Sequence, residues 1–283
     1  MINVYGCKIH VVFSTMRQPY DTDITDKQWT NIFPFFPEPS PRGRPRTQDF
    51  REILNAILYV LRAGCAWRLL PHDFPKWQTV YYYFRRWQGE KVWNNIHDYL
   101  RAEVRRTAQR NVEPSAGIVD SQSVATGDHG IEKGFDGGKL VKGRKRHIIV
   151  DVMGLLLAVM VHSARIQERR GLKFLLFKIR HRFPQLSLIW ADGGYDGQPL
   201  QLWMKRWFKR VIEIVKRNQE TKGFEVLPRR WVVERTFAWF GRYRRLSKDY
   251  EYLPTTSETM LYIAMINIML RRLTRSSSSK LMS

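Results

Sequence analysis

The stretch Lys145-Arg146-His147-Ile148-Ile149-Val150-Asp151-Val152-Met153-Gly154-Leu155-Leu156-Leu157-Ala158-Val159-Met160-Val161-His162 decides how the second half of this chain folds. It reads as two strands, Lys145 to Val152 and Leu155 to His162, paired as a hairpin around Met153-Gly154. Working outward, Gly117 to Val124 reads as a strand before the hairpin. Leu186 to Ala191 follows as a buried strand and Arg210 to Lys216 as another. Helices fill the gaps, over Glu168 to Arg182 and Gln198 to Lys209. A further helix carries Glu234, and an apolar C-terminal helix runs from Glu258 to Leu273.

Three antiparallel strands followed by alternating helices and strands describe an α/β, ribonuclease H-like catalytic domain, a mixed sheet with flanking helices, over residues 111–275. A short linker, Asn111 to Gly117, separates it from a strongly helical first third. There Thr47 reads as an N-cap with Asp49 in the first turn. Phe50, Ile53, Leu54, Ile57, Leu58 and Leu61 recur at helical spacing until Gly64. A second helix spans Trp77 to Trp87, with Val80, Tyr83, Phe84 and Trp87 on a core stripe. Its other face carries Tyr81, Tyr82, Arg85 and Arg86. Residues 19–110 thus read as an all-α, helix-turn-helix-like DNA-binding domain, that face being either packed and solvated or turned to DNA through Arg85 and Arg86. Upstream, Arg42-Gly43-Arg44-Pro45-Arg46 reads either as a solvated basic loop or as a minor-groove hook in which Arg42, Arg44 and Arg46 follow the groove. Residues 1–18 are expected to be an extension outside the folded body, and 276–283 a disordered tail.

Charge narrows the function classes. Lys plus Arg number 48 against 26 Asp plus Glu, a formal net charge of +22 on 283 residues, so the natural partner is a polyanion. Apolar content of 43 % belongs to a folded protein rather than a disordered basic tail. Cys7 and Cys65 form no zinc-spaced group or disulfide framework, which fits a reducing cytoplasm. The longest apolar stretches, Ile148 to Val161 and Met260 to Leu270, are too short and too interrupted to span a bilayer.

Three carboxylates stand out chemically. Asp120 lies inside an apolar strand, where a charge is costly unless paired or metal-bound. Asp192 ends a buried strand and precedes Gly193-Gly194-Tyr195, at the edge where open α/β sheets hold their sites. Glu234 is the only carboxylate among six arginines between Arg229 and Arg245. Each has a plain structural reading as well: a turn or cap for the aspartates, and for Glu234 a surface pair with Arg230 worth roughly 0.2–0.5 kcal/mol. Asp128, Asp136, Asp151 and Asp196 compete, but sit in a Gly-rich loop, beside a hairpin turn or at a helix start. Three carboxylates from three elements suit Mg²⁺ and phosphate.

Several boxes in order resemble the DDE transposases of bacterial insertion sequences, in the insertion sequence five branch. They are Tyr20 to Trp29, Arg42-Gly43-Arg44-Pro45, Gly64-Cys65-Ala66-Trp67-Arg68-Leu69-Leu70-Pro71 and Val119-Asp120-Ser121-Gln122-Ser123-Val124. Lys142-Gly143-Arg144-Lys145-Arg146-His147, Ala191-Asp192-Gly193-Gly194-Tyr195 and Trp231-Val232-Val233-Glu234-Arg235 complete the set. The resemblance implies that Asp120, Asp192 and Glu234 are a triad holding Mg²⁺, two ions in all, with Mn²⁺ able to substitute. It implies strand cleavage at inverted-repeat ends, transfer of the 3′ hydroxyl into target DNA, and a homodimer on DNA. Lys139, Lys142, Arg144, Lys145 and Arg146 would then contact the DNA backbone from the Gly-rich hairpin, as would Arg230, Arg242, Arg244, Arg245 and Lys248 around the third acid. Two departures stand out: Arg165 and Arg170 replace acids of the family pattern His-Ala-Ala-Asp-Ile-Gln-Asp-Arg-Asp-Gly, and Gly241 stands where a lysine or arginine is expected. The alternative on the same architecture is a DNA-binding remnant or repressor that no longer cuts. A cellular ribonuclease H-like nuclease is a further alternative.

Overall fold

The computed structural model describes residues 17–38, 48–215 and 229–279, with side chains as far as 274. Arg42, Arg44, Arg46 and Thr47 lie outside the described residues, as do positions 1–16 of the expected extension. Its last two positions are described, and Arg17 pairs with Asp23 and Glu52 at 2.9 and 2.8 Å.

Four helices open the chain: α1 (Asp26–Ile32), α2 (Phe50–Ala63), α3 (Trp77–Gly89) and α4 (Val92–Thr107). Thr25 and Gln28 close a reciprocal capping box on α1. Asp49, not Thr47, caps α2, its side chain accepting from the Arg51 amide, and Gly64 ends the helix in the left-handed region at φ +77°. A Cβ on Gly64 would lie 2.8 Å from Cβ of Arg244, so the position also needs glycine for the approach of a distant loop. Phe84, Trp87 and Trp93 are among the largest fully buried side chains, each worth roughly 1.5–3 kcal/mol of burial. The Trp93 indole N–H also reaches the Phe84 carbonyl, tying α4 to α3.

The sheet contains β1 (Ala116–Ala125), β2 (Gly134–Asp136), β3 (Val141–Asp151), β4 (Leu156–Ser163), β5 (Leu188–Ala191) and β6 (Val211–Ile214). β3 lies antiparallel to β1, while β5 runs parallel to β1 and β6 parallel to β5. On the other side of β3, β2 pairs with residues 141–143 and β4 with 144–150, end to end along one edge. The order β4-β3-β1-β5-β6 is the mixed, ribonuclease H-like sheet expected. β2 was not foreseen, because its three residues lie in a Gly-rich loop with no alternation to mark them. Gly154 turns the β3–β4 hairpin at φ +80°. Asp151 completes that turn by accepting from the Met153 and Leu155 amides, and it pairs, fully buried, with Arg105 of α4.

Helices α5 (Glu168–Ile179), α6 (Gln198–Phe208), α7 (Trp231–Phe240) and α8 (Pro254–Ser279) cover the sheet. Strand alternation divides the core between its faces. Val119, Ile149 and Ile189 pack with α5 and α6, while Ile118, Ile148 and Val150 share a cluster with α7, α8 and the N-terminal helices. The helical first third and α8 therefore bury one continuous apolar core. Arg85 of α3 bonds Thr256 at 3.1 Å, and Gln88 bonds Thr255 and Thr259, at the start of α8. The backbone of α8 stays helical to Ser279, into the stretch expected as a tail.

Candidate catalytic site

The parallel register of β1 with β5 pairs Ile118 with Trp190, so two residues further along each strand bring Asp120 and Asp192 side by side at the carboxyl edge. Asp120 takes the Ser121 amide on Oδ1 at 2.6 Å. Burial pushes its pKa up to about 6, reinforced by Asp192 and opposed by the Ser121 amide, Arg230 and Lys139. Asp192 leaves β5 and caps a short 3₁₀ turn, Gly193–Tyr195, through the Gly194 amide at 2.9 Å. A Cβ on Gly193 would meet nothing within 4 Å, so the backbone beside Asp192 is open to a ligand.

Glu234 stands in the first turn of α7, which Val233 and Phe240 anchor in the core. Thr236 reinforces the anchor by donating to the Gly154 carbonyl at 3.0 Å. Arg230, one turn before Glu234, lies between the acids, with its guanidinium 3.7 Å from Asp192 and 3.5 Å from Glu234. Among the described residues no three His, Cys, Asp or Glu side chains converge tightly enough to hold a metal ion. The donor set nonetheless fits a hard divalent cation. Asp120 and Asp192 are adjacent like charges, both half-buried, with Arg230 supplying the positive charge between Asp192 and Glu234.

Around this edge lies a hydrogen-bonded layer that the sequence reading did not identify. Tyr195 is fully buried, its hydroxyl 2.7 Å from His147 Nε2, and His147 Nδ1 lies 3.4 Å from His162 Nε2. Burial pushes the Tyr195 hydroxyl well above the ordinary tyrosine range and the His147 imidazole well below its own. Glu168, at the N-terminus of α5, accepts from Lys145 at 2.7 Å and Ser121 at 3.3 Å. Its burial favours the neutral acid, but the bond to Lys145 outweighs that and holds its pKa below the usual range. The one signal available was Glu168 itself, the acid retained where the family pattern has three and this chain has Arg165 and Arg170 at the others. Asp136 pairs with Lys145 and Ser123, and Asp151 with Arg105, so both have structural partners.

The predicted basic contacts divide sharply. Arg144, Lys145 and Arg146, expected to face DNA, are 0, 2 and 2 % exposed, which corrects that expectation. Arg144 binds the carbonyls of Ile131, Glu251 and Tyr252 and pairs with Asp249. Arg146 binds those of Leu246 and Lys248, and Lys145 joins Asp136 to Glu168. The segment after α7 folds back over β3 and needs donors for its carbonyls, and the strand supplies them. Arg245 is buried in the same way, against Glu251 and the Cys65 carbonyl, because α7 ends at Phe240 instead of continuing to Arg245. Arg85 is engaged with Thr256, whereas Arg86, paired with Glu90, remains exposed. Lys142, Arg242, Arg244 and Lys248 are exposed, as is Lys139, whose ammonium reaches the Ser121 carbonyl behind Asp120.

No helix among the described residues is long and apolar enough to cross a membrane. Comparison with known proteins gives two family matches: a putative transposase of the IS4/5 family over residues 24–97 and a transposase DDE domain over residues 111–269. The chain is 36 % identical over 108 residues to an uncharacterized 16.2 kDa protein of insertion element IS402 from Burkholderia cepacia, covering 36 % of this chain and 71 % of that relative. It is 30 % identical over 117 residues to a putative transposase for the same element in the same organism, covering 38 % of this chain and 54 % of that relative. The DDE match takes in more than half of the sequence and the three elements that carry Asp120, Asp192 and Glu234, and on that ground the chain belongs to the DDE transposases of the IS4/5 type.

Proposed function

We propose that this transposase hydrolyses DNA strands at the inverted-repeat ends of its element and then directs the freed 3′ hydroxyl at target DNA. The observation that carries the reading is the register that sets Asp120 beside Asp192 at the sheet edge, with Glu234 linked to Asp192 through the Arg230 guanidinium. Asp120, Asp192 and Glu234 would hold divalent metal, two Mg²⁺ ions with Mn²⁺ as substitute. When bound, the metal supplies Lewis acidity at the scissile phosphate and lowers the pKa of the attacking oxygen. The chain's own groups do the remainder. Arg230 adds fixed positive charge where the phosphate must sit. Gly193 admits the DNA backbone close to Asp192, and Lys139 steadies β1 behind Asp120. No protein nucleophile is required.

Residues 111–275 act as the catalytic domain and 19–110 as the domain that selects the element's ends. Exposed Arg86, Lys142, Arg242, Arg244 and Lys248 contact phosphates, with Arg42, Arg44 and Arg46 following a groove upstream. Phosphate contacts fix register without reading sequence. Two copies bring two ends together in the cytoplasm, at the nucleoid.

The test uses DNA carrying the junctions that flank this gene, a supercoiled target and Mg²⁺. Joined products bearing the element's 3′ end in the target support the reading. Nicked junctions that never join mark a simple nuclease, and binding without nicking in Mg²⁺ or Mn²⁺ marks a silent DNA-binding protein.

A further inference from the structure

A recess of about 330 Å³ opens where the C-terminal end of α2, the segment after α7 and α8 meet, lined by Arg62, Trp239, Arg242, Tyr243, Arg271 and Arg272. Four guanidinium groups line it, and no carboxylate does among the described residues. Rings and carbonyls help to orient them. The Arg272 guanidinium lies 4.3 Å from the Trp239 ring and that of Arg62 5.7 Å from the Tyr243 ring. Arg62 donates to the Arg242 carbonyl, and Arg271 to the Asp21 carbonyl at 3.5 Å. Like charges gathered this closely repel one another, and an anion in the recess would offset that cost.

The site is separate from the catalytic edge. Trp239 lies five residues beyond Glu234 on α7, about 7.5 Å along the helix and roughly 140° around it. The basic surface also continues beyond the recess, because Arg235 lies between Trp231 and Trp239, 4.3 and 4.7 Å from their rings. A cationic strip along the helix suits a chain of phosphates better than a single small anion.

We propose that this recess seats a backbone phosphate of DNA outside the catalytic cleft, a second point of grip from α2 and α8 that leaves Asp120, Asp192 and Glu234 free for the reacting phosphate. The inference rests on the reading of the chain as a DNA-handling transposase.

The experiment measures binding of a labelled duplex of arbitrary sequence across a salt series. It compares the full chain, the pair Arg62→Gln/Arg271→Gln, the single Arg242→Gln, and a control pair, Arg110→Gln/Arg180→Gln, at exposed positions elsewhere. Thermal melts confirm that each is folded, and Arg242→Gln, an exposed side chain, keeps the test open if the pair is not. The log–log salt slope should flatten by about 1 to 2 for the recess pair and about 1 for Arg242→Gln, with affinity at low salt down about tenfold or more for the pair. The control should match the unmodified chain. A slope for the recess variants equal to that of the control overturns the proposal, whether both are unchanged or both flattened. Stabilisation by inorganic phosphate that the recess pair abolishes, with duplex binding unaltered, overturns the DNA assignment in favour of a small anion. Failure of the unmodified chain to bind any duplex defeats the DNA reading itself, a distinguishable result.

Discussion

At the residue scale, Asp120 is the acid whose ionisation burial opposes most clearly. Its pKa of about 6 in the folded chain stands above the roughly 3.9 of an unfolded aspartate, so the unfolded state loses this proton first. Ionising Asp120 therefore erodes stability as pH rises from about 4 through 6, and the whole penalty is present above that window. Asp120→Asn should accordingly leave the metal-free protein no less stable at about pH 8, and more stable by on the order of 1 kcal/mol. Mg²⁺ should raise the melting temperature of the unmodified chain by a few degrees and leave the variant unmoved. Calorimetry with chelator and then with Mg²⁺ checks both, and a variant that melts well below the parent without metal would show Asp120 to be a structural partner instead. Arg230, between Asp192 and Glu234, compensates their charge in the chain alone.

At the element scale the legible parts were those with a period. The hairpin, β1, β5 and the helices α2, α3 and α5 follow from apolar spacing, and the Asp120–Asp192 pairing follows once β1 and β5 are neighbours. The burial of Arg144, Arg146 and Arg245 was hidden, because a basic strand reads as solvated until the chain after α7 is known to fold back and offer it carbonyls. The His147–Tyr195–His162 layer was hidden for the same reason: its members come from three elements, and no local pattern links them. Gly171 on α5 marks where that layer meets the helix, since a Cβ there would lie 2.3 Å from His147 Nδ1. Alanine normally stabilises a helix by up to about 1 kcal/mol over glycine. Gly171→Ala should instead cost about 1–3 kcal/mol through overpacking, read as a lower urea midpoint at unchanged slope. A stabilised protein would contradict the close approach.

At the scale of the whole molecule, the N-terminal helices and α8 share a core that reaches one face of the sheet, and the buried Arg105–Asp151 pair ties α4 to the β3–β4 hairpin. On the proposed reading, DNA held by the helical third would be referred to the same packed frame that carries the three acids. The net charge of +22 supplies general attraction to polyanions, so on the proposed reading the choice of ends falls to residues 19–110 and the chemistry to the sheet edge. The most direct measurement is cleavage of end-labelled junction DNA in Mg²⁺ by the unmodified chain beside Asp120→Asn, Asp192→Asn and Glu234→Gln. The predicted result is cleavage that falls by about a hundredfold or more in each variant, with duplex affinity held within a few-fold. Cleavage at the parent rate by any one of the three would contradict the assignment of that residue to the metal site.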